Sequence, residues 1–425
     1  MNKPYQKFTF KNGLRLVTVP MKNTQAVTVL VLVGTGSKYE TKEINGISHF
    51  LEHMFFRGTK KRPNTLAIAT DLDKVGGSYN AFTGQERTGY WAKVDGKHLD
   101  LALDWVSDMF LNSCLRPEDI EKERGVIIEE INMYLDTPID YICDVWSELL
   151  YGDQPAGWLV SGKKETVSRL KRNQFIDYIN NHYSSRNTIV AVAGNIQKIK
   201  NLKSKIKSYF VGIKTIKPKS KKKVVESQKT PQVLIHYKKT DQTHFYLGFR
   251  AYNLFHRDRH VMDVLSTILG NGMSSRLWIS VREKEGLAYY VFTENNADSD
   301  TGYLAAGAGV DNKRVDKAIN IILKEYKKII NEKISEKELR KAKDYIKGKT
   351  VLRMEASDIQ AGFYASQELT ENKILTLKEK FAKIEAVTAG DIQRVARDIF
   401  RREKLNLALI GPFKDKAKFG KLLKI

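Results

Sequence analysis

The chain has 425 residues, 42% hydrophobic and 28% charged, which excludes a disordered polyelectrolyte, a collagen-like repeat and a disulfide-stapled miniprotein and predicts two domains. Its 72 basic against 49 acidic side chains leave a net charge of +23, so binding to nucleic acid or an anionic surface stands as a rival to any enzymatic function. Two cysteines, Cys114 and Cys143, are too few for a disulfide framework or a four-thiolate metal site, residues 1–10 hold no apolar run of secretory-signal length, and the most apolar stretch, 26–33, is far short of a membrane span, so a cytoplasmic protein without membrane insertion is expected.

Residues 8–20 and 26–33 carry β-branched residues around the turn formers Asn12-Gly13 and Asn23 and read as paired strands. A short helix is expected over 48–56, entered from Asn45-Gly46 and stopped near Gly58. Gly76-Gly77 then precedes two strands, 78–83 and 88–94. Helices over 97–112 and 117–134 and a buried strand over 188–193 complete the first half. Between 213 and 232 seven lysines and two prolines replace any hydrophobic periodicity, which reads as a linker between domains 1–212 and 233–425. Phe82-Thr83 with Thr88-Gly89-Tyr90 recurs as Phe292-Thr293 with Thr301-Gly302-Tyr303, in each case ahead of a helical segment. The order of elements around these matches points to a duplicated α/β unit.

The chemistry concentrates in His49-Phe50-Leu51-Glu52-His53. On a helix, positions i and i+4 lie one turn apart on one face, so both imidazoles can reach a single metal ion. Glu52 borders that face, where a carboxylate can take the proton of a water whose pKa the metal has lowered. With 8 His and 49 acids in 425 positions, such a string arises by chance roughly 0.02 times. A catalytic zinc needs a third protein ligand. Along 117–134, with Ile120 at zero, Glu123 and Glu130 fall at about −60° and −80°, within an apolar arc that runs from Ile131 at about +20° through Ile127 and Tyr134 to Val126 and Met133 at about −120° and −140°, whereas Glu129 falls at about 180°. Inward carboxylates are costly unless paired or bound to metal, so Glu130 is the best ligand candidate, and Glu123 is placed to support a histidine. In the second half, Met262, Leu265 and Ser266 stand 213 positions beyond His49, Glu52 and His53 and cannot repeat this chemistry, so one Zn2+ per chain is expected.

The inverted His-x-x-Glu-His string, with Glu123-Arg-Gly-Val-Ile-Ile-Glu-Glu130 ending 77 positions after His53, resembles the pitrilysin, insulin-degrading enzyme and mitochondrial processing peptidase family of zinc metallopeptidases. The likeness runs through Asn12-Gly13-Leu14, Gly36 to Glu40, Gly46-Ile47-Ser48, Phe56 to Thr59, Gly76-Gly77, Asn80-Ala81, Thr88 and Tyr90. It continues in Ser274 to Leu277 and Arg282 to Tyr289, and so covers nearly the whole chain. The resemblance implies an α+β fold of two homologous α/β domains, each a mostly antiparallel sheet packed with helices, forming one half of a clamshell chamber. It also implies that His49, His53 and Glu130 bind zinc, that Glu52 is the general base, and that Glu123 supports the site. Asn80 and Ala81 would lie on the edge strand that takes extended peptide by strand addition. Arg282 and Tyr289 would contact substrate and the developing oxyanion. Because the family encloses substrate between two such two-domain units, a homodimer or a heterodimer with a silent relative is expected, with Arg282 and Tyr289 of one subunit serving the zinc of the other.

Three functions therefore compete. The leading one is a zinc endopeptidase acting on oligopeptides or unfolded segments. A catalytically silent subunit of the same fold would show an eroded motif, whereas every site residue stands here. No zinc-finger spacing, phosphate-cradling loop or basic and aromatic interleaving supports nucleic-acid binding.

Overall fold

The computed structural model describes residues 3–197, 199 and 201–425. The chain forms two compact units, and neither is continuous in sequence. The first comprises Met1–Asn132, Leu159–Lys222 and Val351–Thr376; the second comprises Met133–Trp158, Lys223–Thr350 and Leu377–Ile425. The Lys-rich segment 213–232 does contain one crossing, between Lys222 and Lys223. The division into 1–212 and 233–425 misses the others, because each unit takes a helical segment from the other half of the sequence.

The first unit is built on a six-stranded sheet in the order β1-β2-β6-β3-β5-β4. Its strands are β1 (Gln6–Thr9), β2 (Arg15–Pro20), β3 (Ala26–Val33), β4 (Ser78–Thr83), β5 (Thr88–Asp95) and β6 (Thr188–Gly194). Asn12-Gly13 turns β1 back onto β2, with Gly13 at φ +89°. The expected pairing of the second strand with 26–33 does not occur. Instead β6 lies between them, parallel to β2 and antiparallel to β3. All seven residues of β6 are buried, and so apolar a strand gains most in the middle of a sheet.

Helices α1 (Ile47–Phe55) and α2 (Thr65–Asp73) stand between β3 and β4, and α3 (Leu99–Asn112) and α4 (Pro117–Asp136) follow β5. Of these, α3 packs on β3 and β5. The helix Ser357–Glu371, nearly 270 positions beyond the sheet's hairpin edge, packs on β2, β3 and β6. Its buried positions Ser357, Ala361, Tyr364, Ala365 and Glu368 keep helical spacing, and Ser357 Oγ meets Thr28 Oγ1 at 2.8 Å.

The second unit repeats this plan. Strands β7 (Gln232–Tyr237), β8 (Gln242–Arg250), β9 (Ala288–Ala297), β10 (Gly302–Asp311) and β11 (Leu405–Gly411) run in the order β7-β11-β8-β10-β9. This matches β2-β6-β3-β5-β4 strand for strand, including the one parallel pair, β7 with β11. Helix α5 (Pro138–Tyr151), from the first half of the sequence, packs on β7, β8 and β11 and buries Ile142, Val145, Trp146 and Leu150. The repeated peptides fall on corresponding strands, with a difference in register. The ring of Phe82 lies over Gly89 across β4 and β5, and in the second unit Phe292 lies over Gly307, not Gly302. The reason is length: β9 and β10 have 10 residues each, against 6 and 8 in β4 and β5. Among the described residues no helix is long and apolar enough to cross a membrane.

A fragment of residues 1–212 lacks Ser357–Glu371 and would expose the apolar face over β2, β3 and β6. It is expected to lose cooperative thermal unfolding or to aggregate; a melt as sharp as that of the full chain, followed by circular dichroism, would overturn this.

Candidate active site

Helix α1 carries three of the site residues, and its start is held from outside. Gly46 has φ +98°, and a Cβ there would lie 2.7 Å from the Ser161 carbonyl oxygen, so a side chain is excluded both by conformation and by space. No side chain of the helix entry caps it. The buried carboxylate of Glu40 does so, accepting from Gly46 N (2.8 Å), Ser48 N (2.9 Å) and Asn45 Nδ2 (2.9 Å). Burial pushes the Glu40 carboxyl up to about 7, against the pull of those donors. Ser48 Oγ and Thr35 Oγ1 each meet the Tyr178 hydroxyl at 2.8 Å. Phe50, Leu51, Met54 and Phe55 are buried, with Phe50 against Phe175 and Phe55 stacked on Tyr90, both at 4.9 Å between ring centroids. The helix is thereby fixed in rotation, and His49, Glu52 and His53 occupy its less buried side.

Helix α4 brings the third ligand candidate. Glu130 Oε2 lies 3.7 Å from His49 Nε2 and 3.4 Å from His53 Nε2, and one donor atom from each of the three residues falls within 4.8 Å of the others. Two zinc bonds of 2.0–2.1 Å at a tetrahedral angle separate their donor atoms by about 3.3 Å, so the spacing and the N,N,O donor set fit a catalytic zinc. Among the described residues this is the one such group. Glu129 is exposed, as its wheel position requires, and Glu123 is buried. Glu123 Oε1 lies 2.8 Å from His53 Nδ1, and its Oε2 pairs with Arg57 Nε. A carboxylate only accepts, so Nδ1 carries a hydrogen, and it is the Nε2 proton whose loss would turn a lone pair toward His49 and Glu130.

The charges follow from these contacts. Burial, then the neighbouring His53, push His49 down to about 4, so it is neutral at pH 7. Burial alone would lower His53 too, but hydrogen bonds to Glu123 and Glu130 and their charges outweigh it and hold His53 up at about 9 in the metal-free chain. The His53 hydrogen bond keeps Glu130 below the usual carboxylate range. Burial opposes the same shift at Glu123, where His53 and Arg57 prevail. Glu52 is displaced upward, chiefly by burial.

Asn80 and Ala81 lie on β4, which pairs with β5 on one side and forms the edge of the sheet. The Ala81 N–H donates to Oδ1 of its neighbour Asn80 at 2.8 Å. Helix α1 packs against this strand, so an extended segment added to the edge would run beside the histidines. Arg282 and Tyr289 belong to the second unit. The Arg282 guanidinium, on the π-helical turn Trp278–Glu283, lies 4.3 Å from the Trp278 ring centroid and 5.2 Å from that of Tyr289 and donates to the Tyr289 carbonyl. Tyr289 itself is 77% exposed. Met262, Leu265 and Ser266 are buried on the helix Arg259–Gly270, within the second unit's core. The sequence reading gave no role to Glu40, Arg57 and Tyr178. Arg57 follows His53 by four positions, the same spacing that relates His49 to His53, and could have been found that way. Glu40 and Tyr178 reach α1 only through the fold.

Known proteins resemble this chain over most of its length. Residues 15–157 match the model of insulinase (peptidase family M16), and residues 169–346 match that of the peptidase M16 inactive domain. The uncharacterized zinc protease YmxG of Bacillus subtilis is 35% identical over 412 residues, covering 96% of this chain and 98% of its own. An uncharacterized zinc protease of Streptomyces coelicolor is 33% identical over 97% of this chain and 90% of its own. Among solved structures, a protease from Helicobacter pylori superposes with a TM-score of 0.87 at 26% identity, covering 96% of this chain and 99% of that one. A peptidase M16 inactive domain from Pseudomonas fluorescens, 14% identical with a TM-score of 0.88, shares the fold. The chain belongs to peptidase family M16.

A zinc ligand must be unprotonated, and His53 carries a proton below about 9. Zinc binding at pH 7 is therefore expected to release a proton and to weaken about tenfold for each unit of pH below that value. Calorimetry in two buffers of different ionisation enthalpy checks it: identical apparent enthalpies would mean that no proton is released.

Proposed function

We propose that the chain is a zinc-dependent endopeptidase that hydrolyses oligopeptides or extended protein segments. The observation that carries this reading is the convergence of His49, His53 and Glu130 beside an edge strand, with Glu52 on the same helix. Zinc held there would supply Lewis acidity, lowering the pKa of water toward 7 and polarising a peptide carbonyl. Glu52 takes the proton of the attacking water and returns it to the departing amine. Glu123 orients His53 through Nδ1. The outward backbone groups of β4 around Asn80 and Ala81 pair with the substrate main chain, which selects extended conformation with little demand on side chains. The inactive-domain match spans 169–346 and leaves out every member of the metal set, consistent with one zinc per chain.

Substrate would be enclosed by two such chains, as a homodimer or with a silent relative, acting as the halves of a clamshell in the cytoplasm. Arg282 and Tyr289 of one subunit, both donors, would then face the developing oxyanion at the zinc of the other. The complete metal set and base argue against this chain's being the silent partner. In this reading the +23 is a property of a lysine-rich surface, as with the exposed Lys222 and Lys223 of the 213–232 segment.

Glu52→Gln should retain zinc, read by metal analysis, and lose peptide cleavage by about a hundredfold or more. Full activity in that variant would remove Glu52 from the reaction. Mixing Glu52→Gln chains with Arg282→Ala chains should restore part of the lost activity through hybrid dimers, and no recovery on mixing would argue against a site shared between identical subunits.

A further inference from the structure

We propose that Arg57 is a positioning residue for the metal centre, acting through Glu123 to hold His53 in the orientation and tautomer that bind zinc. This rests on the zinc reading above and extends it to a residue outside the ligand set.

Glu123 is 6% exposed, and its two oxygens have different partners: Oε1 takes His53 Nδ1 at 2.8 Å, and Oε2 pairs with Arg57 Nε. Both partners come from one stretch of chain, since Arg57 stands one turn beyond His53, immediately after the C-cap residue Phe56. A carboxylate held at both oxygens cannot rotate about its last torsion, so the direction of its bond to Nδ1 is fixed, and with it the plane of the imidazole. Without the guanidinium, Oε2 would be a buried carboxylate oxygen stripped of its own partner, beside a site already holding Glu130 and Glu52. Relief would come from turning toward solvent, away from His53. A cation is also well placed just past the end of α1, where the helix presents its unsatisfied carbonyls. Among the described residues the only other side-chain hydrogen bond of the Arg57 head group is a long one, Nη1 to Thr65 Oγ1 at 3.5 Å, on the surface. The guanidinium is therefore committed to Glu123.

The test is zinc affinity, read by competition with a chromophoric chelator on the purified, metal-stripped full-length chain at fixed neutral pH. Arg57→Ala and Arg57→Gln should bind zinc about 10- to 100-fold more weakly than wild type, as loss of an outer partner of a ligand does, whereas Arg57→Lys should recover most of that loss because one ammonium can make the single ion pair. In a Glu123→Gln background, removing Arg57 should cost less than about threefold further, since its path to the metal is already cut. Unchanged affinity in the Ala and Gln variants would overturn the proposal, as would a Lys variant no better than Gln, or losses that simply add with Glu123→Gln. Should Arg57→Ala fail to fold, judged by circular dichroism, the comparison of Lys with Gln decides alone. A wild-type chain that binds no zinc would overturn the zinc reading and this inference together; a zinc-binding wild type with unaffected Arg57 variants would overturn only the role of Arg57.

Discussion

Two imidazoles on one helix and a carboxylate on another meet within a few ångströms only if the first helix can neither slide nor turn. That restraint on α1 is what the metal set depends on. Its start is gripped by Glu40 at two backbone N–H groups, its apolar side is wedged against Phe175 and Tyr90, and its last turn is tied to α4 through His53, Glu123 and Arg57. Glu40 and Glu123 do similar work at the two ends. Each is a buried carboxylate whose desolvation cost is offset by donors on or beside α1, so each has little freedom to move without losing its partners.

The sheet sets the other coordinate. With β6 in the middle and β4 at the rim, the strand beside α1 keeps one row of backbone groups free of any strand partner. An exposed edge is a liability in most proteins. Here it lies beside the candidate metal set, and in the proposed function it is the place an extended chain would take. The second unit repeats the strand order without the histidines. Its equivalent helix is filled with Met262, Leu265 and Ser266, so the duplicated scaffold has kept its packing and not the chemistry.

Much of this was legible before any coordinates. The helix, strand and turn signals around residues 12–13, 47–55, 78–95 and 117–136 match the observed elements closely, because local periodicity and capping decide them. The wheel of α4 separated Glu123 and Glu130 from Glu129, and the structure agrees on these three and on Ile120, Ile127 and Ile131; Val126, Met133 and Tyr134, which the wheel set on the same apolar side, are exposed, because only the narrower stripe of the helix meets a neighbour. What else failed did so for one reason. The neighbour of β2 is a strand about 170 positions downstream, and the cover of the first sheet is a helix from near the end of the chain; no local pattern encodes either. The linker reading met the same limit, since composition marks one crossing between the units and is blind to crossings made inside ordinary helical sequence.

The sequence by itself determined the chemistry available: two histidines one turn apart, an acid between them, two inward acids on a later helix, and a second half unable to repeat the set. These are matters of residue type and of spacing along one helix, which the chain carries locally. Only the tertiary structure decided that Glu130 and not another acid stands within reach of both Nε2 atoms, that Glu123 faces Nδ1, and that Arg57 and Glu40 hold the two ends of α1 in place. Those relations join side chains far apart in sequence, and their distances exist only after the sheet and its covering helices have packed.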